Sequence, residues 1–306
     1  QIMVQVGVSF VSCENARMNL EAEQTGFNFD KVRANAVARW NSDLSRIKVE
    51  GSSLRQKEVF YTALYHALIH PNILNDVNGE FPVMEFTGDG KTLSNTKAAR
   101  YDTGKPGIGK VEPGHNRYTV FSLWDTYRNV HQLMTLVYPE RQLDMVRSMI
   151  SMYKEWGWMP KWELYGRETF TMEGDPAIPV ITDTWLKGLK DIDIYTAYQA
   201  FIKSAVTRGP ENKMRPDIDP YVQDGFIPLG YFAADFSGDN SVSHALEYYV
   251  ADNALSLLAA DLGYEDEAKA FRERSLNYKH YYSPESGTLR PLNADGSFLT
   301  PFNPRQ

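Results

Sequence analysis

The stretch F-S-L-W-D-T-Y-R at residues 121–128 opens a run of apolar residues at helical spacing that covers 122–137 and, after Tyr138 and Pro139, resumes over 140–156. That spacing predicts two consecutive helices and sets the fold as mainly α. The same stretch places Trp124 four residues and Asp125 three residues before Arg128, so in a helix the ring, carboxylate and guanidinium lie side by side. A flat ring beside fixed charged hydrogen-bonders suits a sugar. Ser122 and Asp125 equally fit the S/T-x-x-D/E signature of a helix start, in which both side chains satisfy free backbone N–H groups. Spacing alone leaves both readings open.

Outward from this stretch, helical periodicity also covers 30–47, 54–70, 176–189, 194–207, 242–262 and 265–281. Short turns alternate with long connections at 72–119, 157–169 and 208–240, which are rich in Gly, Asn, Asp and aromatic residues. Paired helices whose long connections gather at one end predict a bundle or toroid with a ligand site at that end. No period near 34 or 40 residues repeats, so a simple solenoid is disfavoured. The opening Q-I-M-V-Q-V-G-V-S-F-V has strand character and lacks the parts of a signal peptide.

With 306 residues, 42% hydrophobic and 13% aromatic, the chain can bury one large core or two ordinary ones. Its 18 Tyr, 15 Phe and 6 Trp exceed what a helical core requires, and rings on concave surfaces serve ligand binding. A balance of 32 basic to 39 acidic residues, net −7, gives no broad positive field and argues against a nucleic-acid partner. No apolar run approaches the roughly 20 residues of a membrane span. The one cysteine, Cys13, excludes an internal disulfide.

Several motifs fail on chemistry. G-K-P-G-I-G-K-V at 104–111 nearly matches a phosphate-cradling loop, but Val111 stands where a hydroxyl must hold Mg²⁺, so it reads as a flexible glycine loop. His66 and His70 have the spacing of two zinc ligands, yet Ala67 replaces the glutamate base of a metalloprotease; His70 at a helix C-terminus is the simpler reading. D-V-N-G at 76–79 and N-A-D-G at 293–296 are too short for calcium loops and read as turns. No G-x-S-x-G elbow occurs.

A second aromatic stretch gathers Trp156, Trp158, Trp162, Glu163, Tyr165, Arg167 and Glu168 within the segment 156–168. Rings near carboxylates suit glycoside chemistry, and they equally anchor a long loop to helices. On the segment 242–262, His244, Glu247 and Tyr248 share a face, for which a solvated polar surface is the commoner reading; Asp252 interrupts the apolar pattern.

Ordered strings along nearly the whole chain resemble glycoside hydrolase family 92, the calcium-dependent exo-acting α-mannosidases. They are G-V-S-F-V-S with A-R-M-N-L-E-A-E (7–23), F-Y-T-A-L-Y-H (60–66), F-S-L-W-D-T-Y-R (121–128), E-T-F-T-M-E-G-D-P (168–176), L-E-Y-Y-V-A-D (246–252) and F-N-P (302–304). The resemblance implies an N-terminal β-sandwich followed by an (α/α) toroid. Residues 1–20 would then be a short β segment or linker left from the sandwich, and 21–306 the N-terminal part of an incomplete toroid of helix hairpins. It further implies inverting hydrolysis of terminal α-mannose in glycans, calcium engaging sugar hydroxyls, and a periplasmic, cell-surface or secreted location in a bacterium.

The family's acid, in an E-G-N-x-W-Q segment, and its base, in a G-N-D-D/E-D-like segment before M-S-A-W, have no counterpart in these residues. Both are expected beyond residue 306, and the calcium ligands are not assignable. What the resemblance carries over is substrate binding: Asp125 accepting from sugar hydroxyls, Trp124 as a wall, Arg128 holding the Asp125 carboxylate, and Trp162 and Glu168 as further subsite residues. Asp252 is expected to be structural. Two alternatives stay open: a toroid glycosidase acting on glucosides with Asp125 and Glu168 as its own acid and base, and a non-catalytic carbohydrate-binding helical domain. Oligomeric state is not legible in the residues.

Overall fold

Helical periods become helices close to where the sequence places them. The computed structural model describes residues 2–24, 26–51, 53–84, 107–231 and 240–303. In chain order the helices are α1 (Cys13–Glu23), α2 (Phe29–Leu44), α3 (Leu54–Ala67), α4 (Leu123–Thr126), α5 (Val130–Val137), α6 (Pro139–Trp156), α7 (Ala177–Leu186), α8 (Ile194–Val206), α9 (Ile218–Gln223), α10 (Ser241–Asp261) and α11 (Glu265–Ser275). Their starts follow local chemistry. Ser53 and Gln56 cap each other's backbone at α3, and Pro139 opens α6 where a missing N–H costs nothing.

Helices α2 and α3, α5 and α6, α7 and α8, and α10 and α11 pack as sequential neighbours, and α10 also lies against α7 and α8. Between them Val146, Met149, Ile178, Ile181, Leu255 and Leu258 are fully buried. Each such side chain contributes roughly 1.5–3 kcal/mol from area removed from water. The result is a mainly α, incomplete (α/α) toroid whose ring does not close.

Small antiparallel ladders stiffen the long connections: β1 (Asn72–Ile73) with β4 (Tyr118–Thr119), β2 (Glu80–Pro82) with β3 (Ile108–Lys110), β5 (Phe121–Ser122) with β6 (Trp162–Glu163), and β7 (Tyr282–Ser283) with β8 (Thr288–Leu289). The segment 72–119, expected as loop, is therefore partly paired. Of the expected glycine loop at 104–111, residues 104–106 lie outside the described residues. Gly109 is in β3, where a Cβ would stand 2.5 Å from the Phe81 ring, so close packing requires glycine there. The turns expected at 76–79 and 293–296 both form, closed by Gly79 N–H to Asp76 O and Gly296 N–H to Asn293 O.

Four expectations change. Residues 2–9 form no strand: they join no ladder among the described residues, and Ile2, Val4, Val6 and Val8 are exposed, because a strand needs a partner edge to satisfy its backbone. Residues 13–20, within the segment expected as strand or linker, belong to α1, which runs on to Glu23. Ser12 caps α1, and Asp76 accepts from Ser9, Asn15 and Asn19, tying helix and N-terminal segment to the β1–β2 turn. The helix expected over 122–137 is divided into α4 and α5, and α3 stops at Ala67, leaving His70 outside it. Among the described residues, no helix is long and apolar enough to cross a membrane.

Candidate substrate-binding site

The β5–β6 ladder joins the two aromatic stretches. Phe121 pairs with Glu163 and Ser122 with Trp162, and Leu123 N–H donates to Lys161 O at 3.1 Å. Beneath the ladder the fully buried Glu163 accepts from the Thr119 hydroxyl at 2.9 Å, Val120 N–H at 3.2 Å and Gly166 N–H at 2.5 Å. Burial pushes its carboxyl up to about 7 in spite of these donors. Around it Val120, Tyr165, Phe170 and Met172 have φ of 65°, 51°, 55° and 65°. For a β-branched residue such as Val120 this is strain that the surrounding bonds must hold.

Glu168 takes a different place from the one expected. Its carboxylate accepts from the backbone N–H of Lys161 (2.7 Å), Trp162 (2.9 Å) and Phe170 (2.8 Å), closing the loop on itself. With both oxygens bonded to backbone N–H groups, the half-buried Glu168 acts as a clasp of the loop. Trp162 belongs to the same clasp through its backbone, with its ring half-buried. Trp158 is buried under Lys203, whose Nζ lies 4.2 Å from the ring centre, and Trp156 packs edge-on to Phe170. These two rings anchor the loop.

At the turn itself the Arg128 guanidinium stacks 4.7 Å from the Trp124 ring centre, as i, i+4 spacing predicts, and equally over Tyr127. It does not hold Asp125. Arg128 Nη2 donates to Glu247 Oε1 at 2.8 Å, and the Tyr127 hydroxyl donates to Glu247 Oε2 at 2.8 Å. Burial and the neighbouring Glu247 push the Tyr127 phenol up. Asp125 is exposed and accepts no hydrogen bond from the described residues. Nor does Ser122 cap α4 with its side chain, so the helix-start reading of 122–125 is not realised.

Helix α10 brings Glu247 here from far along the chain. The face shared by His244, Glu247 and Tyr248 is turned inward, where the sequence favoured solvent. His244 Nδ1 lies 2.7 Å from Asp217 and Nε2 3.9 Å from Glu173. Gly174, with φ 86°, backs onto Glu247: a Cβ there would stand 2.8 Å from Glu247 Cβ. Deeper, Asp252 is structural as expected. Arg215 donates to it at 2.7 Å, Arg274 at 2.8 Å and the Tyr221 hydroxyl at 2.6 Å, while Arg215 also reaches Asp175 at 3.0 Å. Burial would raise the Asp252 carboxyl, but the two guanidiniums outweigh it and hold it low. Sequence reading missed Arg215, Arg274 and Gly174, whose partners are distant and unmarked by any local period.

Among the described residues, no group of three or more His, Cys, Asp or Glu is placed to hold a metal ion. His66 and His70 do not form a pair: the helix ends between them, and His70 bonds to Asn72.

An open ring of helix hairpins with ring, carboxylate and guanidinium on one connecting turn is the architecture of an (α/α)-toroid glycosidase domain. Residues 15–306 match the Glycosyl hydrolase family 92 catalytic domain, and the chain belongs to that family. A family 92 α-mannosidase of Bacteroides thetaiotaomicron, solved in complex with mannoimidazole, is 32% identical and superposes with a TM-score of 0.80, over 97% of this chain and 35% of that one. A family 92 inverting mannosidase of Bacteroides thetaiotaomicron VPI-5482 is 29% identical with a TM-score of 0.78, over 96% and 37%. An uncharacterized secreted glycosidase of Arthroderma benhamiae is 24% identical over 316 residues, 100% of this chain and 33% of its own length. The chain thus spans about a third of the length of these relatives.

Proposed function

We propose that this chain is part of an enzyme that removes terminal α-linked mannose by inverting hydrolysis, and that its residues help form the subsite for that terminal mannose. The observation that carries the reading is the turn 124–128, joined by the β5–β6 ladder to the second aromatic stretch in a chain of family 92. Asp125, exposed and without a hydrogen bond from the described residues, accepts from two sugar hydroxyls, and the Arg128 N–H groups not used by Glu247 donate to a third. The exposed part of the Trp124 ring covers the apolar C–H face of the hexose.

These residues bind and orient. The acid that protonates the leaving oxygen and the base that activates water, separated by roughly 6.5–9.5 Å in an inverting enzyme, come from segments outside the chain. Calcium enters the proposal for the whole protein through the family, where it would engage sugar hydroxyls. The secreted relative of Arthroderma benhamiae supports a secreted location.

The test is an assay of the complete gene product on aryl α-mannoside and aryl α-glucoside, with calcium and with chelator. Hydrolysis of the mannoside, lost on chelation and restored by calcium, is the expected result. Turnover of the glucoside alone, or of neither, overturns the reading.

A further inference from the structure

Arg128 is nearly half exposed, with 46% of its side chain open to solvent, and a long side chain in that position ordinarily samples many rotamers. Here its guanidinium lies 4.7 Å from the centres of both the Trp124 and Tyr127 rings. What removes its freedom is Glu247, whose side chain is only 13% exposed and which uses one oxygen on Tyr127 and the other on Arg128. A carboxylate that grips a hydroxyl and a guanidinium from neighbouring residues fixes both side chains of the turn, and through the 4.7 Å stack it fixes the ring of Trp124. Gly174 holds Glu247 from behind, since any side chain there would collide with the Glu247 Cβ. Glu247 touches neither Asp125 nor the open side of the turn in the described contacts. Its work is done through its neighbours.

We infer that Glu247 is the positioning residue of the 124–128 subsite: with Gly174 as its backstop, it sets the Tyr127 and Arg128 side chains, and with them the Trp124 platform, before sugar arrives. This rests on the reading of 124–128 as the sugar subsite. A preset platform spares the bound complex the ordering of a long side chain and aims the free guanidinium N–H groups in one direction. Removing the carboxylate leaves the residues of the subsite present but unaligned.

The complete gene product carries the test, with Glu247→Ala, Glu247→Gln, Gly174→Ala, Tyr127→Phe and Asp125→Asn assayed on an aryl α-mannoside. Glu247→Ala and Gly174→Ala should lower kcat/KM by about 10- to 100-fold, the range expected for losing a charge-assisted hydrogen bond and its alignment. Glu247→Gln, whose amide oxygen still accepts from Arg128 and whose amide N–H₂ can donate to the Tyr127 oxygen, should recover to within about threefold of the parent. Tyr127→Phe removes one hydrogen bond and keeps the packing. It should cost about three- to tenfold, and it decides the matter if Glu247→Ala does not fold.

A spectroscopic readout separates alignment from stability. The fluorescence difference between each protein and its Trp124→Phe version isolates this indole, and it should shift to the red in Glu247→Ala while staying unshifted in Glu247→Gln. Parental kcat/KM in Glu247→Ala, or in Tyr127→Phe, with Asp125→Asn still impaired overturns the positioning role and leaves the subsite standing. Loss in Glu247→Gln as deep as in Glu247→Ala, in step with a lowered melting temperature, also overturns it, in favour of a purely structural role. If Asp125→Asn too is unimpaired, it is the subsite reading that fails.

Discussion

Glu163 and His131 are buried ionisable side chains that pull stability in opposite directions with pH. The Glu163 carboxyl titrates near 7 in the folded protein, above the 4.5 of an exposed glutamate, so its contribution is fully present below pH 4.5 and is lost as pH rises toward 7. His131 lies between the Thr126 hydroxyl and Gln142, and burial lowers it to about 4 from 6.5, so its contribution is present above pH 6.5 and lost as pH falls toward 4. Each amounts to roughly 3–3.5 kcal/mol over its window, and between pH 4.5 and 6.5 they offset one another. Glu163→Gln should therefore make urea stability climb more steeply from pH 4.5 to 6.5 than in the parent. A slope that does not change contradicts the assignment. Glu168 belongs to the same scale: Glu168→Gln sets an amide N–H₂ against backbone N–H donors and should cost about 1–3 kcal/mol in unfolding free energy. An unchanged urea midpoint would show that the clasp contributes nothing.

Among the elements, those whose identity is written in apolar spacing were legible. The period over 140–156 becomes α6 to within one residue, and that over 194–207 becomes α8, because a stripe facing the core encodes both the period and the burial. Helix α1 was not legible. Its sequence C-E-N-A-R-M-N-L-E-A-E is mainly polar, and its place is set by Asn15 and Asn19 bonding to Asp76, far along the chain. Asp76→Ala should accordingly loosen α1, read as faster amide exchange over 13–23 with α6 unchanged; equal exchange in both proteins would show that α1 stands without it. The break between α4 and α5 was hidden for a similar reason. Gln132 donates to the Tyr127 carbonyl and Thr126 engages His131, so side chains replace the helical ladder where the period runs on without pause.

At the scale of the whole molecule, the candidate site was half readable. Local spacing foretold the stack of Arg128 on Trp124, and the β5–β6 ladder places Trp162, expected with Trp124 in one subsite, beside the start of the same turn. No local pattern could show that Arg128 bonds to Glu247, which lies 119 residues away, or that the partners of Glu168 are backbone N–H groups, since those exist at every residue and are chosen only by the fold. The 306 residues by themselves should show no hydrolysis of an aryl α-mannoside, because the acid and base are proposed to come from elsewhere in the protein; clear turnover by this chain would relocate both. The most direct measurement is kcat/KM of the complete gene product on an aryl α-mannoside, before and after Asp125→Asn. The account predicts a fall of about 100-fold or more as charge-assisted bonds to the sugar are lost in the transition state, whereas an unchanged value would remove Asp125, and with it the turn 124–128, from the substrate.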